Sequence, residues 1–206
     1  MLVAAGSVSA QTQVKLTGAG TTVAFGVHVG PYKGQLGSGP GAATVDIFCV
    51  DYLNHSSIGQ TWMVKKTNLG FGNTDLADTR FGGMSNSLSR YQQAAWLTTQ
   101  FASTPPTQWG DIHATIWHLM TPSSPSYAPS STWLAAAQNF YLTNTNSKFY
   151  DKFQILSDVN LGAMGNTGIR TGGVQEFIVV TPEPATIILL GTGLAGVLLV
   201  GYKRMG

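Results

Sequence analysis

The chain has 206 residues and a net charge of +2, and only 10% of its side chains are charged, against roughly 25% in an average soluble protein. Glycine, serine, threonine, asparagine and glutamine replace the missing charges, and this uncharged polar composition favours an exported protein over a cytosolic enzyme. The 11 basic residues are scattered and form no block with interleaved aromatic residues, which argues against nucleic acid as a partner.

The first ten residues, MLVAAGSVSA, end in the small-x-small pattern that precedes a signal-peptide cleavage site. Val8, Ser9 and Ala10 form this pattern, so we expect the mature protein to begin at Gln11. Ten residues lack the basic region and most of the apolar region of a complete signal. Residues 1–10 are therefore interpreted as a remnant of a signal peptide, with an ordinary disordered start as the alternative.

The body, residues 11–180, is predicted to be one exported domain that begins and ends with strands. β-Branched and aromatic residues dominate four early segments, and glycine- and proline-rich stretches separate them. We expect these strands at residues 14–16, 22–29, 44–53 and 60–66, with a separating stretch at 34–43 and a loop at 67–86.

Apolar residues at helical spacing predict three helices in the middle of the body, at residues 87–101, 111–120 and 132–142. Strand patterns return at residues 153–156 and 174–180, on either side of a turn at 162–173. The expected fold class is therefore α+β: a β-rich, sandwich- or barrel-like ectodomain with a helical insertion at about residues 87–142, followed by one C-terminal transmembrane helix.

The tail, residues 181–206, differs sharply in composition from the body. Residues 185–202 contain no charge, and a helix of that length covers about 27 Å, enough to cross the hydrocarbon core of a membrane. Pro182 and Pro184 end any preceding helix, and Lys203 and Arg204 act as a cytoplasmic stop, which leaves the body outside. A buried core helix is the alternative interpretation of this segment.

No cofactor and no metal site are expected. The GTGLAG string in the tail matches the dinucleotide pattern G-x-G-x-x-G, but two prolines precede it instead of a strand, and the acidic residue about twenty positions later is missing. We interpret its glycines as small residues that permit close helix packing in a membrane. His113 and His118 are five residues apart, so they do not share one helix face as zinc ligands would.

Pro182, Glu183 and Pro184, followed by an apolar span with LGTGLAG and then by basic residues, resemble the PEP-CTERM sorting signal of Gram-negative bacteria. The resemblance implies recognition by an exosortase, a membrane enzyme that cuts near the Pro-Glu-Pro and passes the protein to the cell surface or its exopolysaccharide matrix. It also implies that the span and the basic tip hold the substrate in the inner membrane until cleavage. The basic tip, Lys203 and Arg204, is shorter than is common in that family.

Cys49 is the single cysteine and lies in the apolar segment IFCVD. A lone cysteine outside the cytoplasm cannot form an internal disulfide, so burial as an unreactive apolar side chain is the default interpretation. Strand alternation places Ile47, Cys49 and Asp51 on one face, and Phe48 and Val50 on the other.

Three segments of the body resemble bacterial surface thioester domains, also called Cys-Gln or TQxA domains: FCVD, YQQAAW and HATIW. In that family a cysteine thiol and a glutamine amide condense to an internal thioester with loss of ammonia. The resemblance implies a thioester between Cys49 and Gln92, with Gln93 as a weaker choice. The segment with the better spacing carries His113 where the glutamine is expected, so the alternative is a relative that kept the fold and lost the bond.

These patterns predict an exported structural or interaction protein without catalytic activity. Its expected partners are the exosortase, the inner membrane, and exopolysaccharide or another envelope component, which Trp62 and Trp109 would contact if exposed. The alternatives are a thioester adhesin, a membrane-anchored protein that is never cleaved, and a thiol hydrolase using Cys49, His113 and Asp51.

Overall fold

The computed structural model describes residues 11–70, 75–123, 127–144 and 148–181. Six antiparallel strands close into a barrel in the order β1-β4-β5-β8-β7-β6, and two short strands form a separate hairpin, β2-β3. The strands are β1 Thr12–Gly18, β2 Val23–Ala24, β3 Val27–His28, β4 Tyr32–Leu36, β5 Ala43–Cys49, β6 Thr61–Asn68, β7 Phe153–Asp158 and β8 Phe177–Val180.

Alternate side chains of the barrel strands fill its interior, as the period of a β-strand requires. Ile47 and Cys49 on β5 point inward, whereas Phe48 and Val50 belong to a second cluster outside the barrel, which confirms the predicted alternation. The interior cluster consists of Val14, Leu16, Tyr32, Ile47, Cys49, Trp62, Val64, Leu156, Phe177 and Val179.

Three helices lie between β6 and β7 in the chain: α1 Ser87–Gln100, α2 Trp109–Met120 and α3 Ser131–Thr143. Their apolar side chains join the outward-facing side chains of the barrel, among them Phe48 and Ile178, in one buried cluster. Ser130 caps α3 by accepting a hydrogen bond from the backbone N–H of Trp133. The predicted barrel-like body with a helical insertion is confirmed, as a mixed fold of six barrel strands and three α-helices.

Three of the segments predicted between residues 22 and 53 differ from the structure. The strand at 22–29 is instead the β2-β3 hairpin, because Phe25 and Gly26 both adopt positive φ angles (56° and 77°) and turn the chain. The strand at 44–53 ends at Cys49, before Asp51 accepts hydrogen bonds from the following loop. The separating stretch at 34–43 contains most of β4, in which Gly34 leaves room for Ile47 on the neighbouring strand.

The predicted transmembrane helix and the predicted sorting residues lie outside the described residues. Residues 1–10, the predicted span at 185–202 and the residues Pro182, Glu183, Pro184, Lys203 and Arg204 belong to this part of the chain. Within the described ranges, every helix is too short or too polar to cross a membrane.

Candidate functional site

The end of β5 places Cys49 against α2 in a dry environment. The Cys49 side chain is fully buried, and its thiol donates a hydrogen bond to the backbone carbonyl of Asp51 at 3.2 Å. Burial raises the pKa of Cys49 to about 12, and the nearby Asp51 charge adds to this effect. The thiol is therefore protonated and unreactive at neutral pH, in line with the default interpretation of a packed cysteine.

His113 on α2 is the candidate residue that reaches the neighbourhood of Cys49. Its Nδ1 accepts a hydrogen bond from the backbone N–H of Gly30 at 2.9 Å, and its ring stacks on Trp117 at a centroid distance of 4.8 Å. Burial lowers the pKa of His113 to about 3, partly offset by the backbone of Cys49, so the imidazole is neutral. Because Nδ1 accepts, the proton of this neutral ring resides on Nε2.

The thiol hydrolase arrangement does not form, although its three residues are neighbours. The Cys49 thiol binds a backbone carbonyl, His113 Nδ1 is occupied by Gly30, and the Asp51 carboxylate pairs with Arg80. A nucleophile needs a base within hydrogen-bond reach, and the base needs an orienting acid. Here each group has a different partner.

Gln92 on α1 lies in a different environment from Cys49. The Gln92 side chain is 2% exposed, and its amide donates to the backbone carbonyl of Leu69, at the end of β6. Cys49 packs inside the barrel, and the residues of the helical thioester-like segments that approach it are His113 and Trp117. The thioester between Cys49 and Gln92 stays a prediction, and this geometry favours the alternative in which the bond was lost.

We expect Cys49 to be a free thiol that resists alkylation until the protein unfolds. The intact mass of protein purified without reductant should be the full sequence mass, and methylamine should leave it unchanged. Iodoacetamide should add one group only in denaturant, because the thiol is buried and protonated. A native mass lower by one ammonia, regained as a methylamine adduct, would instead establish the thioester.

A buried ionic network that the sequence analysis missed lies beside this site. Arg80 is 1% exposed, and its Nε lies 2.7 Å from Asp51 Oδ2, an ion pair that falls short of hydrogen-bond alignment. The other guanidinium nitrogens donate to three backbone carbonyls, those of Arg170, Gly172 and Val174. Arg80 thus ties the loop before β8 to the end of β5.

Glu176 forms the second part of the network. Its carboxylate accepts hydrogen bonds from the backbone N–H of Arg80 at 2.7 Å and from the hydroxyls of Ser157 and Tyr91, both at 2.5 Å. Burial raises the pKa of Glu176 to about 7 despite these donors. The sequence offered one signal for Glu176. It is an acidic residue directly before an apolar strand, in a chain with only nine acidic residues.

A cleft of about 240 Å³ opens at the barrel end where β5 finishes and β8 begins. We call it the aromatic cleft; its lining residues are Leu16, Ala19, Gly26, Val27, His28, Tyr32, Tyr52, His55, Ser56, Ile58, Trp117 and Gln175. None of these lining residues is acidic, lysine or arginine. Pockets that combine apolar walls with a few polar groups are the usual form of a small-molecule site.

The β2-β3 hairpin borders the aromatic cleft and carries an exposed aromatic residue in an unfavourable backbone conformation. Phe25 is 39% exposed at φ 56°, and its ring stacks on Tyr127 at 4.2 Å. The Tyr127 hydroxyl donates to the Phe25 carbonyl at 3.1 Å, which holds the turn in place. A non-glycine residue in this conformation costs energy, and such residues concentrate at functional sites.

The two tryptophans considered for sugar contacts lie elsewhere. Trp62 is 7% exposed inside the barrel, so the interpretation of Trp62 as exposed is wrong, because its position on β6 faces inward. Trp109 is half-buried and packs against Phe101.

Comparison with known proteins identifies the tail. Residues 180–204 match the family model of the PEP-CTERM protein-sorting motif, which confirms the resemblance drawn from Pro182, Glu183 and Pro184. The motif supports sorting through an exosortase. No curated protein and no solved structure matches the chain.

Proposed function

We propose that this chain, which carries a PEP-CTERM sorting motif, is an exported exosortase substrate whose body is delivered to the cell surface or the extracellular matrix. The observation that carries the proposal is the motif match at residues 180–204. In this scheme the span at 185–202 holds the protein in the inner membrane, and Lys203 and Arg204 stay in the cytoplasm. Cleavage near Pro182, Glu183 and Pro184 then releases the body.

The body acts as a structural or interaction domain rather than as an enzyme. Cys49, His113 and Asp51 each bind a different partner, and the Cys49 thiol is protonated at neutral pH. The aromatic cleft gives the domain a surface for a ligand. Exopolysaccharide or another envelope component is the partner proposed for it.

The folded domain reaches directly to the motif. Thr181 binds the carbonyl of Lys152 through its backbone N–H at 2.8 Å and through its hydroxyl at 3.0 Å. Pro182 is the next residue, so cleavage near the motif removes little of the barrel. This boundary fits a domain that is released intact.

The test follows a C-terminal epitope tag on residues 11–206, expressed behind a complete signal peptide in a host that has an exosortase. The wild-type body should lose the tag and leave the membrane fraction, whereas Glu183→Gln should keep the tag and stay in the membrane. Asp111→Asn is the matched control, since it makes the same carboxylate-to-amide change at an exposed position of the body. Wild-type protein that keeps its tag, or equal cleavage of Glu183→Gln, would contradict the proposal; the first result describes the uncleaved membrane-anchored alternative.

A further inference from the structure

We propose that the aromatic cleft binds one neutral sugar ring, stacked on Tyr52 and hydrogen-bonded by uncharged side chains. This inference rests on the proposed function, since it names the ligand class of the interaction domain. The sugar is either free or part of a polysaccharide, and both sources present the same ring chemistry.

The aromatic cleft lies at the end of the barrel opposite to Thr181, the last described residue. Gln175, which lines the cleft, precedes β8, and Thr181 follows β8. The four residues of β8 therefore span about 13 Å of barrel wall between the cleft and Thr181. A protein anchored through its tail would present the cleft away from the membrane.

Tyr52 supplies an aromatic face that is held in position before a ligand arrives. Its ring contacts Trp117 at a centroid distance of 4.9 Å and meets Tyr127 edge-on at 5.8 Å. Its hydroxyl lies 3.3 Å from the Tyr127 hydroxyl, which restricts rotation of the side chain. The negative face of an aromatic ring attracts the weakly positive C–H groups on one side of a pyranose.

The size of the aromatic cleft limits the ligand to a small ring. Its volume of about 240 Å³ lies just below the range of roughly 300–1,000 Å³ that is typical of drug-sized ligands. Ile58, which is 63% exposed, extends the apolar surface at the edge of the cleft. One ring can be enclosed, while the rest of a longer saccharide would remain in solvent.

Hydrogen-bonding groups in the cleft match hydroxyls and carry no fixed charge. His28 Nδ1 donates to the Gly20 carbonyl at 2.8 Å, which leaves Nε2 as an acceptor in the neutral ring. The Gln175 amide donates to the Asp51 carbonyl at 3.3 Å, and its oxygen remains an acceptor. These acceptors suit the donor hydroxyls of a neutral sugar.

Ser56 distinguishes a sugar from a purely apolar ligand. Its hydroxyl is buried and has no hydrogen-bond partner within the described part of the chain. An apolar ligand would leave this group unsatisfied, whereas a sugar hydroxyl can pair with it once the Ser56 side chain rotates toward the cleft. Ser56 therefore favours a ligand with hydroxyl groups.

The test measures binding to the purified full chain in a detergent without a sugar headgroup. The probes are the methyl glycosides of glucose, galactose and mannose, the methyl glycoside of glucuronic acid, and p-cresol, detected by saturation-transfer NMR and by intrinsic tryptophan fluorescence. At least one neutral glycoside should bind, more tightly than the uronic acid and in competition with p-cresol. If the glucoside binds, competition by soluble dextran indicates polysaccharide as the source, and lack of competition indicates a free sugar.

Three variants link this binding to the aromatic cleft. Tyr52→Ala should weaken binding about tenfold, and Ile58→Ala, an exposed truncation that leaves the core intact, should weaken it about threefold. Leu142→Ala is the matched control, because Leu142 is also 63% exposed but lies on α3, and it should leave affinity unchanged. Absence of binding by all three neutral glycosides, tighter binding of the uronic acid, or equal affinity in all variants would overturn the proposal.

Failure of this proposal is distinguishable from failure of the proposed function. Glu183→Gln lies in the sorting motif and should block cleavage without changing sugar affinity. Tyr52→Ala should change affinity without changing cleavage of the C-terminal tag. Loss of sugar binding with normal cleavage would leave the sorting function intact.

Discussion

Replacement of Arg80 by methionine should lower the free energy of unfolding by about 3–5 kcal/mol, the usual cost of breaking a buried ion pair. The variant removes the guanidinium from Asp51, which is 0% exposed, and removes the donor from three backbone carbonyls. Methionine restores some apolar packing but no positive charge. Chemical denaturation followed by tryptophan fluorescence measures the loss.

Lys65→Met is the matched control for this experiment. Lys65 pairs with Asp78 at 2.8 Å, but the two side chains are 33% and 50% exposed. Water screens such a pair, so this variant should lose less than about 1 kcal/mol. Equal effects of the two substitutions would show that the buried network contributes no more to stability than the exposed pair of Lys65 and Asp78.

The stability of the protein should fall only modestly as pH rises from 4.5 to 6.5, because His113 offsets part of the effect of two buried carboxyl groups. The pKa of Glu176 is raised to about 7, so the folded state holds a proton that the unfolded state releases, and stability falls as pH rises from 4.5 to 7. The pKa of His113 is lowered to about 3, so stability falls as pH drops below 6.5. The raised pKa of Asp51, also caused by burial, acts in the same direction as that of Glu176.

Two neutral substitutions separate these opposing contributions. On acidification from pH 6.5 to 4.5, Glu176→Gln should lose roughly 2 kcal/mol of stability relative to the wild type, because the opposing contribution of Glu176 is removed. His113→Asn, whose amide oxygen can still accept from Gly30, should instead gain stability on acidification from pH 7 to 4.5. Denaturant unfolding at five pH values measures both slopes. Parallel curves for the wild type and both variants would contradict the assigned protonation states.

The helices and the inward and outward faces of β5 follow from local patterns, which is why sequence reasoning found them. Apolar spacing predicted all three helices, and alternation separated Cys49 from Phe48. The sorting motif was also predictable from the sequence, because it is defined by the order of its residues and not by tertiary contacts.

Features that depend on distant partners were not predictable in this way. Gly34 is tolerated in β4 because Ile47 from another strand fills the space beside it. Arg80 pairs with Asp51 across 29 positions of the chain, and the turn at Phe25 is held by Tyr127. The aromatic cleft combines residues from separate segments, such as Leu16, Tyr52 and Gln175, that only the closed barrel brings together.

The position of the helical insertion has a consequence for how the protein folds. The insertion leaves the barrel after β6 and returns at β7, and these strands are direct neighbours in which Asn68 pairs with Gln154. Their pairing must therefore close a loop of more than eighty residues. Closing this loop lowers the entropy of the chain before the contacts between the two strands can stabilise it. The pairing of β1 with β4 spans far fewer residues. We expect the β1-β4-β5 meander to form early and the seam between β6 and β7 to close late, once the helices have docked.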